Sequence, residues 1–306
     1  MKIDVERVAT LTGHRDCIYG LEGDIDNPII FSAGGDGMVV AWDLRQPELG
    51  KLLVQIPSSV YALRYLPASN ELVIGQNFEG IHLIDLKTKK EVHSLRLPDA
   101  DAIFDIQHID DLLWVATGSG RIYVVDYSSF KLVDQLLYSS KSARCLAINL
   151  IKKEIAIGYS DHSIRIVDLA THELKLEWPA HTNSVFTLAY SPDYRFLLSA
   201  GRDAHLKIWD TNTSYLLHKS IVAHMYAINH ITYSPSGQFF LTCSMDKSIK
   251  LWDASEFKLL KVIDRARYAG HATSINNVYW STYQDQIISC SDDRHVSIWN
   301  LKFSLI

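Results

Sequence analysis

The sequence predicts an all-β fold made of seven repeats of about 42 residues, each repeat forming one four-stranded antiparallel sheet. Three observations lead to this prediction. An anchor dipeptide related to Trp-Asp recurs along the chain, polar residues keep fixed distances from it, and short apolar segments bounded by turns lie between these markers. A period of ~40–45 residues is typical of a four-stranded unit.

The anchors set the number of repeats. They are Trp42-Asp43, Ile84-Asp85, Val125-Asp126, Val167-Asp168, Trp209-Asp210, Trp252-Asp253 and Trp299-Asn300. Successive anchors lie 42, 41, 42, 42, 43 and 47 residues apart, and the seven units use almost the whole chain. Because no linker and no second composition remain, we expect residues 1–306 to form a single domain.

The segments between the anchors have the pattern of strands. Residues 164–167 and 206–209 are alternating or continuously apolar, which is typical of half-buried or fully buried strands. Turn signals separate such segments, for example Ser191-Pro192 and the glycine-rich residues 34–37. No long window has a helical period, and this favours an all-β class.

Polar residues lie at constant distances before the anchors. A His lies 28 residues before the Trp in four repeats, and a Ser or Thr lies ten residues before it in the same four. An Asp lies six residues before the anchor in five repeats. Three spacings that hold together across four repeats are difficult to obtain by chance, and we therefore expect them to have one structural cause.

On these residues the chain resembles the WD-repeat β-propeller family over essentially its full length. The signature runs from Gly13-His14 to Trp42-Asp43 and recurs from residues 180, 223 and 270. In that family the Asp, His, Ser/Thr and Trp of one blade form a hydrogen-bonded tetrad. The resemblance implies four complete tetrads: Asp36, His14, Ser32 and Trp42; Asp203, His181, Ser199 and Trp209; Asp246, His224, Thr242 and Trp252; Asp293, His271, Ser289 and Trp299.

Ser, His and Asp also form catalytic triads, so these sets have an alternative interpretation as an active site. We favour the structural interpretation because the set recurs four times, as an active site would not. A buried carboxylate in a tight turn needs hydrogen-bond donors, which the imidazole and the turn amides supply.

The ends of the chain predict how the ring closes. Residues 7–11 precede the first His-bearing turn, where an outer strand belongs, and too few residues follow the last anchor for a further strand. We therefore expect the N-terminal strand to be the outer strand of the blade built by residues 272–302. This pairing closes a seven-bladed propeller and removes exposed sheet edges.

Blades two, three and four depart from the pattern. Their anchors are Ile84, Val125 and Val167, and their His positions hold Ile56, Leu97 and Ser139. Blade four keeps Asp161 but has Ile157 at the hydroxyl position. We expect these blades to form no tetrad and to be held by apolar packing alone. Two interpretations stay open: ordinary drift of a repeat protein, or a plastic face over residues 53–170 that adapts to a partner.

In a propeller, the loop before each first strand and the loop between the second and third strands lie on one rim. In the family, such positions around the channel mouth commonly engage peptides or partner proteins. The candidate partner-binding residues on this rim are Arg15, Phe78, Arg202, Met225, Tyr226, Met245, Arg265, Arg267, Tyr268 and Asp292. Methionines adapt to partner surfaces, and arginines bind carboxylates and phosphates. The blade-seven repeat has four extra residues before its His, and they fall within residues 264–268.

Composition and charge exclude several classes of function. The net charge of −5 gives no basic field, so we expect no direct nucleic-acid binding and no membrane association. Asp4 and Glu6 lie where a signal peptide is apolar, and the four cysteines form no Cys-x-x-Cys pair. These features indicate an intracellular protein. We expect it to be cytoplasmic rather than nuclear. The other histidines lack ligand spacing, so we expect no metal and no cofactor.

We therefore predict a non-enzymatic protein-interaction scaffold or a subunit of a multiprotein complex, present as one monomeric propeller within a larger assembly. Its partners are other proteins or peptides, bound through the rim around the channel. Two alternatives stay open: a reader of short acidic or phosphorylated peptides that uses rim arginines, and a propeller enzyme with a site at the channel mouth. A reader would bind in a salt-sensitive way, whereas an enzyme would lose turnover when a rim carboxylate is changed.

Overall fold

Seven four-stranded antiparallel sheets follow one another around a ring. The structure is a computed structural model that describes residues 2–24, 26–99 and 101–304, so Met1 and residues 305–306 of the predicted domain lie outside the described residues. The innermost strand of each sheet contacts the innermost strand of the next sheet all the way round. The predicted class, an all-β seven-bladed propeller, is confirmed.

The strands of the first three blades run from the channel outwards. Blade one contains β2 (Ile18–Gly23), β3 (Ile29–Gly34), β4 (Met38–Asp43) and β5 (Lys51–Gln55). Blade two contains β6 (Val60–Leu66), β7 (Glu71–Gln76), β8 (Gly80–Asp85) and β9 (Lys90–Arg96). Blade three contains β10 (Ile103–Ile109), β11 (Leu112–Thr117), β12 (Arg121–Asp126) and β13 (Lys131–Leu137).

The next three blades have the same order. Blade four contains β14 (Ala143–Asn149), β15 (Glu154–Tyr159), β16 (Ser163–Asp168) and β17 (Leu174–Pro179). Blade five contains β18 (Val185–Tyr190), β19 (Phe196–Gly201), β20 (His205–Asp210) and β21 (Leu216–Val222). Blade six contains β22 (Ile228–Tyr233), β23 (Phe239–Ser244), β24 (Ile249–Asp253) and β25 (Lys258–Ile263).

The seventh blade joins the two ends of the chain. It contains β26 (Ile275–Trp280), β27 (Ile287–Ser291), β28 (Val296–Ser304) and, outermost, β1 (Lys2–Leu11). The pairing of β1 with β28 runs from Lys2 opposite Ser304 to Leu11 opposite Val296, with one irregularity between Arg7 and Ala9. The predicted closure by the N-terminal strand is therefore confirmed. Helical structure in the described residues is limited to a 3-10 turn, Thr211–Thr213, and the short helix α1, Arg265–Tyr268.

The apolar core lies between the blades. Each of seven buried apolar clusters takes side chains from two neighbouring blades; one, for example, joins Trp114 and Val124 of blade three to Ile155 and Ile157 of blade four. Burial of a large apolar side chain contributes about 1.5–3 kcal/mol, so every blade is stabilised chiefly by its two neighbours. Each blade therefore needs its neighbours to bury its two faces.

Each innermost strand has an irregularity near its first residue that turns one extra side chain toward the channel. The extra residues are Tyr19, Tyr61, Phe104, Arg144, Phe186, Asn229 and Asn276, together with Ala62 beside Tyr61. Such bulges re-aim side chains and are frequent next to functional sites. We call these seven channel-facing residues the channel-mouth ring. The loops that precede each innermost strand, with the turns between second and third strands, form the upper rim.

Candidate functional site

The upper rim of blade one is held by four hydrogen-bonded side chains. The Trp42 indole donates from Nε1 to Ser32 Oγ at 2.8 Å, and Ser32 Oγ lies 2.8 Å from His14 Nε2. Since the hydroxyl accepts the indole proton, it donates its own proton to Nε2, and the imidazole then carries its proton on Nδ1. From there His14 donates to the Asp36 carboxylate at 3.1 Å.

Blades five, six and seven contain the same arrangement. The Trp Nε1–hydroxyl distances are 2.8, 3.0 and 2.9 Å for Trp209–Ser199, Trp252–Thr242 and Trp299–Ser289. The His Nε2–hydroxyl distances are 2.8, 2.7 and 2.8 Å for His181, His224 and His271. The His Nδ1–carboxylate distances are 3.0, 2.8 and 2.9 Å to Asp203, Asp246 and Asp293. All four sets of side chains named from the sequence meet in this way.

Each of these carboxylates also joins two loops of the rim. Asp36 accepts the Arg15 amide at 2.8 Å, and Asp246 accepts the Met225 amide at 3.1 Å. In blades five and seven the amides of Thr182 and Ala272 take the same role. The backbone of the residue after each His is therefore fixed, and in blades one, five and six this residue presents an exposed side chain to the rim.

The pKa values of several tetrad groups in blades five, six and seven are shifted by burial and by hydrogen bonds. Burial raises the pKa of Asp203 and Asp246, but the hydrogen bonds from their His partners and from the turn amides outweigh it and leave both below their usual value. The same balance lowers the pKa of Asp293 to about 2. Burial lowers the pKa of His181 and His224, with the neighbouring carboxylate opposing it. In blades five and six these opposite shifts favour a neutral imidazole beside an ionised carboxylate.

Blade four contains a different polar network, which corrects the expectation that apolar packing alone holds this blade. Ser139, at the His position, donates to Asp161 at 2.7 Å. The buried Arg165 guanidinium donates to the same carboxylate at 2.9 Å and to Glu177 at 2.7 Å. An arginine from the third strand therefore supplies the cation and the donors that Asp161 lacks when no His is present.

Blades two and three use smaller polar substitutes, so the same expectation is wrong there as well. In blade two the buried Asn77 accepts the Ile103 amide of the next blade at 2.8 Å, and Ser58 donates to the Asn77 carbonyl at 3.0 Å. In blade three Thr117 donates to the Arg121 carbonyl at 2.8 Å and lies 3.0 Å from the Ser119 hydroxyl. These blades lack a tetrad, as predicted, but their turns are hydrogen-bonded.

The apolar candidates on the upper rim are strongly exposed. The exposed fractions are 69% for Phe78, 81% for Met225, 60% for Tyr226 and 51% for Met245. Met225, Tyr226 and Met245 belong to the two upper loops of blade six, where the Met245 amide donates to the Ala227 carbonyl at 3.0 Å. Phe78 has φ 66°, a left-handed conformation that is strained for a bulky residue. We call Met225, Tyr226 and Met245 the blade-six patch.

The charged candidates are placed differently from one another. Arg15, Arg202, Arg265 and Arg267 are exposed, on blades one and five and on the insertion that follows blade six. The insertion folds as α1, whose Asp264 accepts the Arg267 amide at 2.9 Å and lies 3.7 Å from its guanidinium.

Two further candidates have partners within the chain. Tyr268 is half-buried against the apolar cluster of blades six and seven. Asp292 is also half-buried, and it accepts a hydrogen bond from Asn276 at 2.7 Å. These two side chains are therefore less available to a partner than the exposed arginines.

The channel-mouth ring is a feature that the sequence analysis did not identify. Tyr19 and Tyr61 pack edge to face with their ring centroids 4.8 Å apart. Tyr61 stacks on Phe104 with a centroid distance of 5.8 Å and an interplanar angle of 6°. The Arg144 guanidinium lies 3.7 Å from the Phe104 centroid and 5.0 Å from that of Phe186. Asn229 and Asn276 complete the ring around a cavity of about 580 Å³.

A sequence signal for the ring existed. In six blades the ring residue is the fifth residue after the His position; Tyr19 follows His14 in this way, and Arg144 follows Ser139. In blade three the interval is seven, from Leu97 to Phe104. The spacing alone does not say that these side chains face the channel, because that requires the bulge in each innermost strand.

Charged groups lie deeper in the channel. Arg64 is 3.2 Å from Glu22 and donates from Nε to the Ile106 carbonyl at 2.9 Å. Asp105 accepts the Leu146 amide at 2.7 Å. Burial raises the pKa of Glu22 and of Asp105, against the lowering effect of Arg64. These three groups are therefore engaged with one another or with the backbone.

Among the described residues, no three or more His, Cys, Asp or Glu side chains are arranged to hold a metal ion. Within the same residues, no helix has the length and apolar character needed to cross a membrane.

The family model for the WD domain, G-beta repeat, matches four segments of the chain: residues 5–43, 172–210, 216–253 and 263–300. Together they make up half of the chain. They contain all four tetrads, and the first begins within β1. The matched segments are thus those in which the Asp, His, hydroxyl and Trp side chains meet.

The curated relatives are distant and longer than their matching regions. THO complex subunit 3 of Arabidopsis thaliana is 24% identical over 68% of this chain and 66% of its own length. Periodic tryptophan protein 2 of Saccharomyces cerevisiae is 23% identical over 68% of this chain and 21% of its own length. WD repeat-containing protein slp1 of Schizosaccharomyces pombe is 26% identical over 68% of this chain and 36% of its own length. The chain thus covers less than two thirds of each of these three relatives.

Proposed function

Since this chain belongs to the WD-domain, G-beta repeat family, we propose that it is a non-enzymatic interaction scaffold or a subunit of a multiprotein complex. It binds other proteins through its upper rim and enters the assembly as one propeller. The similarity to the Arabidopsis relative, which is named as a subunit of the THO complex, supports a role within an assembly.

The observation that carries this proposal is the blade-six patch. Its three large apolar side chains are more than half exposed, yet their backbones are fixed by a tetrad and by loop hydrogen bonds. Exposed apolar side chains on a rigid rim are typical of partner-binding surfaces, because they lose little conformational entropy on binding. Methionine also adapts its shape to the partner.

The role of the tetrads supports a non-enzymatic function. Each hydroxyl is fully buried and already accepts from an indole while donating to an imidazole. A buried hydroxyl with both of these partners cannot reach a substrate. The His next to it is hydrogen-bonded on its other nitrogen to the Asp of the turn. The Ser, His and Asp side chains therefore stabilise blades and do not form a nucleophilic triad.

Affinity capture from native lysate tests the proposal. The variant Met225→Ser, Tyr226→Ser, Met245→Ser removes the apolar surface of the patch and leaves the tetrad of blade six in place. The matched control, Leu132→Ser, Val133→Ser, Leu137→Ser, removes three exposed apolar side chains from the outer strand of blade three.

We expect the control to capture the same partners as the wild type and the patch variant to lose about 90% of them, an affinity loss of at least ~1.4 kcal/mol. Thermal melts must show that both variants are folded. Equal capture by all three proteins would contradict binding through the patch, and the absence of any specific partner would contradict the scaffold itself.

A further inference from the structure

We infer that Arg144 in the channel-mouth ring is a receptor for an oxyanion, a carboxylate or a phosphate, presented by a peptide segment of a partner that enters the channel. This inference rests on the proposed function, since it names the chemistry of one contact made by the same face of the propeller. It differs from a reader that uses exposed arginines of the rim.

The guanidinium is held in place by aromatic rings from the blades on either side. The Arg144 Cζ atom lies 3.7 Å from the ring centroid of Phe104 in blade three and 5.0 Å from that of Phe186 in blade five. Phe104 is itself supported by Tyr61, which stacks on it. Because the rings restrict the long arginine side chain, less rotamer entropy is lost when a ligand binds.

Arg144 has no anionic partner in the part of the chain that the structure describes. It makes no hydrogen bond and no ion pair there, whereas Arg64 pairs with Glu22 and Arg165 pairs with Asp161 and Glu177. Burial lowers the pKa of Arg144, and no nearby carboxylate opposes that effect. A half-buried cation without a counter-ion is costly, and an oxyanion that enters the cavity removes this cost.

The surroundings of Arg144 favour an anion over a cation. The two acids of the channel are engaged deeper inside: Glu22 with Arg64, and Asp105 with the Leu146 amide. On the far side of the mouth, Asn229 and Asn276 are uncharged, and the Asp292 carboxylate beside them accepts a hydrogen bond from the Asn276 amide. A second cation next to Arg144 would be repelled, while the planar guanidinium fits a carboxylate or phosphate in a bidentate manner.

The cavity has room for this contact. Its volume of about 580 Å³ exceeds that of any single side chain, and the channel-mouth ring lines it directly inside the upper rim. A partner segment that covers the blade-six patch can therefore place one acidic side chain between Arg144 and the two asparagines. Aspartate, glutamate and phosphorylated serine share the chemistry required.

Fluorescence anisotropy with defined peptide pools tests the inference. The pools differ only in a fixed central residue, which is Glu, phosphoserine, Gln or Lys, and every other position is randomised equally. The full-length wild type is compared with Arg144→Gln and with Arg96→Gln, a matched loss of one exposed arginine at the end of the outer strand β9. Thermal melts check that each variant is folded.

We expect the Glu or phosphoserine pool to bind the wild type about tenfold more tightly than the Gln and Lys pools. This preference should disappear in Arg144→Gln and persist in Arg96→Gln. The stronger of the two anionic pools identifies the source of the oxyanion. If Arg144→Gln does not fold, Arg144→Lys, which keeps the charge but not the planar fork, should reduce the preference at least threefold.

Equal binding of all four pools, binding of none, or a preference that survives the loss of Arg144 would overturn the inference. None of these results bears on the proposed function, which fails only if the patch variant captures the partners of the wild type or if no partner is captured.

Discussion

Single buried hydroxyls link the two halves of each tetrad. Ser199 accepts the indole proton of Trp209 and donates to His181, so one oxygen atom satisfies two buried groups. Each link lies in a fully buried environment, where a donor or acceptor without a partner is destabilising. At the residue scale, the fold therefore depends on a few hydroxyl oxygens that are fully buried.

The change Ser199→Ala tests this dependence. It leaves His181 Nε2 and Trp209 Nε1 without a partner, and we expect the free energy of unfolding to fall by about 2 kcal/mol in urea denaturation. The exposed Ser236→Ala serves as the control and should change stability by less than about 0.5 kcal/mol. A loss for Ser199→Ala no larger than that of the control would show that the tetrad contributes no net stability.

The tetrads were predictable from the sequence, whereas the contacts of Arg144 and Arg165 were not. A tetrad lies within one blade at constant sequence spacing, so its pattern is visible in each of the four repeats that contain it. Arg144 contacts Phe104 and Phe186 across two blade interfaces. Residue spacing within one repeat cannot predict a contact between different blades. Arg165 could be found only by asking which cation replaces the missing His near Asp161.

Ring closure is the element-scale feature that the two chain ends determine together. β1 pairs with β28 over most of its length, and its side chains Ile3 and Leu11 enter the apolar clusters on either side of blade seven. Without β1, the edge of β28 would be unpaired and the buried Trp299 would lose cover. The sequence predicted this pairing because residues 7–11 have the pattern of a strand, while the last repeat lacks the residues for its own outer strand.

Deletion of residues 1–11 should destabilise the whole ring. We expect the melting temperature to fall by at least about 10 °C, since the change removes two buried apolar side chains and one row of strand hydrogen bonds. A synthetic peptide with the sequence of residues 1–11, added in trans, should restore part of the loss, whereas a scrambled peptide should not. An unchanged melting temperature after the deletion would contradict closure by β1.

At the scale of the whole molecule, the seven blades create a channel in which ionisable groups are removed from bulk water. His230 of blade six lines this channel, and burial, with the charge of Arg64, lowers its pKa to about 4. In the unfolded chain the same group has its ordinary value of 6.5. Between these two values the unfolded state binds a proton that the folded state does not, so acidification favours unfolding.

The variant His230→Gln should therefore flatten the dependence of stability on pH. Between about pH 7 and pH 4, we expect the wild type to lose about 2 kcal/mol more free energy of unfolding than the variant, after allowance for screening by channel water. Urea denaturation at a series of pH values measures the difference. A difference between the two proteins that stays constant with pH would show that His230 is not desolvated in the folded ring.

The central claim is that partners bind on the upper rim, and hydrogen–deuterium exchange of the protein with and without a captured partner tests it most directly. The account predicts slower amide exchange in residues 13–17, 77–79, 224–227 and 244–247 when the partner is bound, with β9, β13 and β17 unchanged. Slower exchange confined to those outer strands, or to the turns at the opposite end of the channel, would contradict it.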